Sequence, residues 1–224
     1  MVIYFVIVNT IAIYLFPGGS LYDPTLTSYS FSENFFSDLG VYETVSGEQN
    51  FLSCFLFNST LVMMGFACLS FILVPRLFKD NKISYVCATI GSYIAMLSGL
   101  SFLGVGLTPA DLYFNEHVFF VIVGFRSLVP AMVFLTLAFF FCPVSNKYTV
   151  ASVLFLLSIT IYAFFETSDP PDVSPRENLE LFKESVSYNR MVISVIAQKV
   201  ITLISFVSFF VFTYGFYQLS LLKK

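Results

Sequence analysis

Long apolar runs separated by short polar breaks leave this chain few ways to fold. The runs are Phe51 to Val74, Ile83 to Leu107, His117 to Cys142, about Tyr148 to Phe165, and Met191 to about Leu222. An α-helix rises about 1.5 Å per residue, so about 20 apolar residues cross a hydrocarbon core of about 30 Å. Met1 to Phe16 is a further, shorter apolar run. It has neither a basic leading stretch nor a small-residue cleavage site, so it is expected as an uncleaved first span. With 57% hydrophobic and only 11% charged residues, against about 25% charged in soluble domains, nothing remains for a separate soluble domain. The expectation is an all-α, polytopic membrane protein: one transmembrane domain over residues 1–224, built as a six-transmembrane-helix bundle.

The loops carry the orientation. Residues 17–50 contain Asp23, Glu33, Asp38, Glu43 and Glu48 and no Lys or Arg, making a long acidic first outer loop that begins at the break Pro17-Gly18-Gly19. Arg76, Lys79, Lys82, Lys147, Lys223 and Lys224 flank the other side, against Arg176, Lys183 and Arg190 in one acid-rich loop. The positive-inside rule then puts both termini in the cytoplasm of a plasma-membrane protein. Pro75 is expected to stop the second span and Pro130 to kink the fourth. Ser174-Pro175-Arg176-Glu177 reads as a capping box. Leu179, Phe182 and Val186 follow at helical spacing, predicting a short outer amphipathic helix on the membrane surface that starts near Pro175. Gly91, Ala95 and Gly99 form a small-residue face, which offers a route to homo-oligomers. Asn58-Ser59-Thr60 matches a glycosylation sequon inside an apolar run and is read as accidental.

The costly residues lie in the outer half. Arg126 stands about nine residues into the fourth span, roughly 13 Å at the helical rise. A charge at such depth costs at least about 2.5–3.5 kcal/mol and needs a partner or a wet cavity. Spans two, four and six run the same way and place Asn58, Arg126 and Lys199 at similar depth. Asp38, Asn50, Asp111, His117, Glu166 and Arg190 stand near the outer ends. One reading is packing, with the cations paired to Asp38, Asp111 or Glu166. Another is a cavity for a lipid headgroup or small anion, with Arg126 and Lys199 as anchors and Asn58, His117, Asp38, Asp111 and Arg190 around it, since a guanidinium grips phosphate or carboxylate in a fork.

A transporter would continue the polar path inward. An enzyme would use His117 with Asp111, or Ser37 and Asp38 from the first loop, in a geometry that spacing does not supply. A structural or assembly role would use the small-residue face. One histidine and four scattered cysteines offer no metal set, and no cofactor is implied. A net charge of −3 gives no sign of nucleic acid; membrane lipids are the expected partners.

Ser37-Asp38-Leu39-Gly40, Asn50, Asn58, Gly106-Leu107-Thr108-Pro109-Ala110-Asp111 and His117 together resemble the prokaryotic membrane-protein family catalogued as domain of unknown function 998. Arg190 fits that family's Glu-Arg pair, but Asn189 stands where the Glu would be. The resemblance implies a six-helix bundle with these residues on one side, and it brings no activity.

Overall fold

The computed structural model describes residues 1–168, 171 and 173–222. It is all-helical: α1 Val2–Leu15, α2 Phe51–Cys68, α3 Lys82–Leu107, α4 Phe114–Phe140, α5 Lys147–Thr167, α6 Leu179–Ser185 and α7 Tyr188–Leu221. Phe36–Gly40 forms a 3-10 turn, and α2 runs on as a 3-10 extension, Leu69–Phe78. Among the described residues the sheet content is one isolated bridge, Glu43 to Gln49.

Five of these helices are long and apolar enough to cross a membrane. They coincide with the five long apolar runs, and each fills the span with Phe, Leu, Ile and Val that would have no soluble use. α1 is apolar but has only 14 residues, about 21 Å of helix, so the sixth crossing expected of Met1 to Phe16 falls short of that length. α7, at 34 residues, exceeds the hydrocarbon thickness, as its apolar run requires.

Two expectations need correction. Pro75 does not end the second span. It lies inside the 3-10 extension, and its ring is buried. The chain leaves the α form at Leu69, so Pro75 continues the segment as a tighter helix whose hydrogen bonds reach one residue less far. The second correction is the helix placed at Pro175. Residues 175–177 form a turn, closed by the Glu177 and Asn178 amides donating to the Ser174 carbonyl at 3.0 and 3.1 Å. α6 starts only at Leu179, capped by the Asn178 side chain accepting from the Leu181 amide at 3.0 Å. Phe182 is buried, so the apolar stripe is spent largely on the protein.

The chain divides into two compact units. The first is Met1–Met64, Phe102–Val121 and Glu166–Val200; the second is Gly65–Ser101, Ile122–Phe165 and Ile201–Lys224. The second unit is a phenylalanine-built core. Phe139 stacks on Phe216, Phe212 and Tyr148 at 5.5, 6.0 and 6.2 Å between ring centres and meets Phe78 edge-on at 5.6 Å, geometries that suit ring quadrupoles. The small-residue face of α3 is used here, inside the chain. A Cβ on Gly91 would lie 2.9 Å from Leu135 Cγ and 3.0 Å from the Ala131 carbonyl, and one on Gly99 only 2.2 Å from Cys68 Cβ. Ala95 is buried as well. The face offered for a second copy is therefore already occupied by α4 and α2 of the same chain.

Candidate functional site

The candidate site lies in the first unit, where the loop after α1 is folded down by side chains from α2 and α7. The loop begins at Gly18 and Gly19, with φ of +113° and +83°. A Cβ on Gly18 would fall 2.2 Å from the Leu26 carbonyl oxygen, so only glycine allows the reversal. The Gly19 amide then donates to that same carbonyl at 2.9 Å.

Asn34 is the hub. It is fully buried, and its Nδ2 donates to the Gly19 carbonyl at 2.9 Å and to Asp38 Oδ2 at 3.1 Å. Its Oδ1 accepts from the Ser30 amide at 2.9 Å. Its own carbonyl accepts from the Tyr29 hydroxyl at 2.9 Å and from Lys199 Nζ at 2.6 Å. Asp38 completes the 3-10 turn by accepting from the Phe35 amide at 2.9 Å. Burial pushes the Asp38 carboxyl up to about 6, although Asn34, the Phe35 amide and the Lys199 charge all pull it down. Burial and the neighbouring Asp38 charge likewise push the Tyr29 hydroxyl above its ordinary value. The Lys199 ammonium also sits over the rings of Phe36, Tyr29 and Phe31, at 5.2, 5.4 and 6.0 Å, where ring quadrupoles attract a cation. Beside it, Gln198 Oε1 accepts from the Phe36 amide at 2.7 Å.

The other side of the turn rests on one stripe of α2. Leu39 is fully buried. Its carbonyl accepts from Asn50 Nδ2 at 3.1 Å and Ser53 Oγ at 3.2 Å. The next carbonyl, of Gly40, accepts from Asn58 Nδ2 at 2.9 Å and Cys54 Sγ at 3.1 Å. Positions 50, 53, 54, 57 and 58 share a helix face. A Cβ on Gly40 would lie 2.6 Å from Asn58 Oδ1 and 2.8 Å from Phe57 Cδ1, which explains the glycine. Asn58 thus serves a loop carbonyl.

Asp111 closes the loop's far end. Its carboxylate is almost wholly buried and accepts from the Tyr42 and Glu43 amides at 3.0 Å. Arg176 lies 3.7 Å from it and 3.2 Å from Glu43. His117 is buried, and its Nδ1 donates to the Thr108 carbonyl at 2.7 Å. That bond fixes the tautomer with the proton on Nδ1 and ties α4 to the end of α3. Glu166 hydrogen-bonds Ser194 and lies in the field of Arg190.

The structure therefore brings Asp38, Lys199 and Asn58 onto one loop turn, and Asp111 and His117 onto the adjoining segments. Arg126 belongs to the second unit. It is exposed on α4, along the same outward stripe as Val133, Leu137 and Phe140. Asn34, Ser53 and Arg176 were not among the sequence candidates. The spacing 50, 53, 54, 57, 58 could have flagged the α2 stripe, but nothing in the loop marks Asn34.

A family model described as "Protein of unknown function (DUF998)" matches residues 10–177. Asp38, Asn58, Asp111, His117 and Arg126 fall inside that stretch, and Arg190 and Lys199 beyond it. No curated protein and no solved structure matches the chain.

Proposed function

This chain belongs to that family, and we propose that it is a six-span plasma-membrane protein with cytoplasmic termini whose outer half binds a lipid headgroup or another small anion. The observation that carries the reading is Arg126. It is exposed twelve residues beyond Phe114, about 18 Å along an apolar helix. A guanidinium offers a phosphate or carboxylate two parallel N–H donors at once, which suits it to an anionic headgroup. Lys199 is the second cation. Asp38, Asp111 and His117 would orient the ligand or gate access to it, and Asn58 and Arg190 are the further polar groups of this reading.

The test is thermal unfolding of wild type and Arg126→Lys in detergent, with and without phosphatidylglycerol. A ligand that binds the folded state raises its stability, and lysine keeps the charge but loses the fork. The anionic lipid should raise the melting temperature of wild type more than that of the variant. Equal stabilisation of the two would refute the reading.

A further inference from the structure

The second unit holds a separate polar feature on the side of the Lys- and Arg-rich turn. A groove of about 160 Å³ runs between the 3-10 extension and the start of α3. Its mouth is lined by Arg76, Lys79 and Tyr85. Arg76 and Lys79 are three residues apart where the chain is wound as a 3-10 helix, so their side chains lie nearly one above the other along the axis. Asp80 is the one acid in the turn, leaving the mouth net positive with Lys82 nearby.

Deeper in, Ser92 lines the same groove. It is 1% exposed, and its Oγ has no hydrogen-bond partner. Thr89, also in the lining, instead bonds back to the Tyr85 carbonyl at 2.7 Å, whereas Ser84 nearer the start of α3 is unpaired like Ser92. A buried hydroxyl left unpaired disfavours the fold until something supplies its partner. Ile72, Pro75, Thr89, Tyr93 and Met96 complete the lining, apolar apart from the Thr89 and Tyr93 hydroxyls, and Ile72 and Tyr93 are well exposed. From the turn inward the lining thus changes from cationic, to hydroxyl, to apolar.

We propose that this groove binds an anionic glycerophospholipid. Its phosphate would sit between Arg76, Lys79 and the Ser92 hydroxyl, and its acyl chain would leave along Ile72 and Met96. The occupant follows from the gradient: a free phosphate uses the mouth and leaves the apolar exit unused, whereas an amphiphile uses both. This site is independent of the Arg126 reading, since none of its residues enters that one.

The chain has no tryptophan, which makes the test direct. Tyr93→Trp, at an exposed wall position, installs a sole indole emitter. The variant is reconstituted into vesicles of phosphatidylcholine with a fraction of dibrominated phosphatidylglycerol or dibrominated phosphatidylcholine, and quenching reports which lipid occupies the groove. The reporter should favour the anionic lipid roughly fivefold or more, the order that interfacial cations supply. Arg76→Gln with Lys79→Gln should bring the preference to about one, whereas Arg126→Lys should leave it unchanged. No anionic preference in the reporter, or one that survives loss of both cations, would overturn the proposal. Loss of the preference on adding millimolar inorganic phosphate would overturn the lipid assignment in favour of a free-phosphate site.

Discussion

Asn34→Ala should release the first loop while leaving the second unit intact. The asparagine side chain makes three hydrogen bonds, to Gly19, Asp38 and Ser30. Neutral bonds are worth about 0.5–1.5 kcal/mol each net, and one to a charged group about 1.5–3. The full sum is an upper bound, because Ser30 and Asp38 are only partly buried and regain water once the loop lifts. Roughly 2–4 kcal/mol is left, which is a factor of about 30 to 1,000 in the closed-to-open ratio at 1.4 kcal/mol per tenfold. Local opening of this kind is read by amide hydrogen exchange. Amides of residues 34–41 should exchange faster by about that factor in detergent. Those of residues 131–139, in the second unit, should keep their rates and serve as the internal control. Asn34→Asp should do at least as much, since it removes the donor and sets a carboxylate against Asp38. Unchanged loop protection in Asn34→Ala would refute the hub. So would an equal acceleration in both regions, which would mean that the substitution unfolds the chain as a whole.

Protonation of Asp38 should tighten the loop. Its folded value of about 6 lies above its ordinary 3.8, so the stability tied to this group is full below about 4 and is lost as pH rises through about 6. The gap of two units is on the order of 3 kcal/mol. Loop protection, corrected for intrinsic exchange, should fall between about pH 4 and 6 and level off above, and Asp38→Asn should abolish that fall; a flat wild-type profile would count against it. Gly99→Ala should lower the melting temperature, because the new Cβ would meet Cys68 Cβ at 2.2 Å and overpacking costs about 1–3 kcal/mol; melting within a degree of wild type would show that the helices do not approach so closely. Reporter fusions after Lys82 and Lys224 should be cytoplasmic and one after Asp111 external, and an external C-terminus would invert the topology.

The long helices were legible because hydrophobic length survives any rearrangement of neighbours: α3 and α5 match their apolar runs to within two residues at each end. The ends were less so. Ser174-Pro175-Arg176-Glu177 has the residues of a cap, yet Asn178 four residues later is the one that caps, and both are legitimate by type. Pro75 was read as a stop, yet the chain carries it on within a tighter 3-10 segment. At the site, the polar residues were identifiable but their partners were not. Asn50, Ser53 and Asn58 donate to main-chain carbonyls of Leu39 and Gly40, and every residue has a carbonyl. Asp111 likewise accepts from amides. A charge pattern suggests opposite charges as partners, so backbone recognition is invisible to it. Arg126 and Lys199 were grouped by depth along their helices, and depth says nothing about which face a side chain takes.

The 3-10 extension has a rotational consequence. A 3-10 helix turns about 120° per residue and an α-helix about 100°, so its ten residues advance the chain by about 200° more than α winding would. It is also about 5 Å longer at 2.0 Å rather than 1.5 Å per residue. Rewinding Leu69–Phe78 as an α-helix would turn Lys79 to the opposite side of the segment and draw the following turn back toward the bilayer. The azimuth at which α3 departs is therefore set by the winding state upstream of it, and Pro75 disfavours the α form there because its ring would clash with the carbonyl four residues back. The departure of α3 is thus phased by one stretch of backbone geometry.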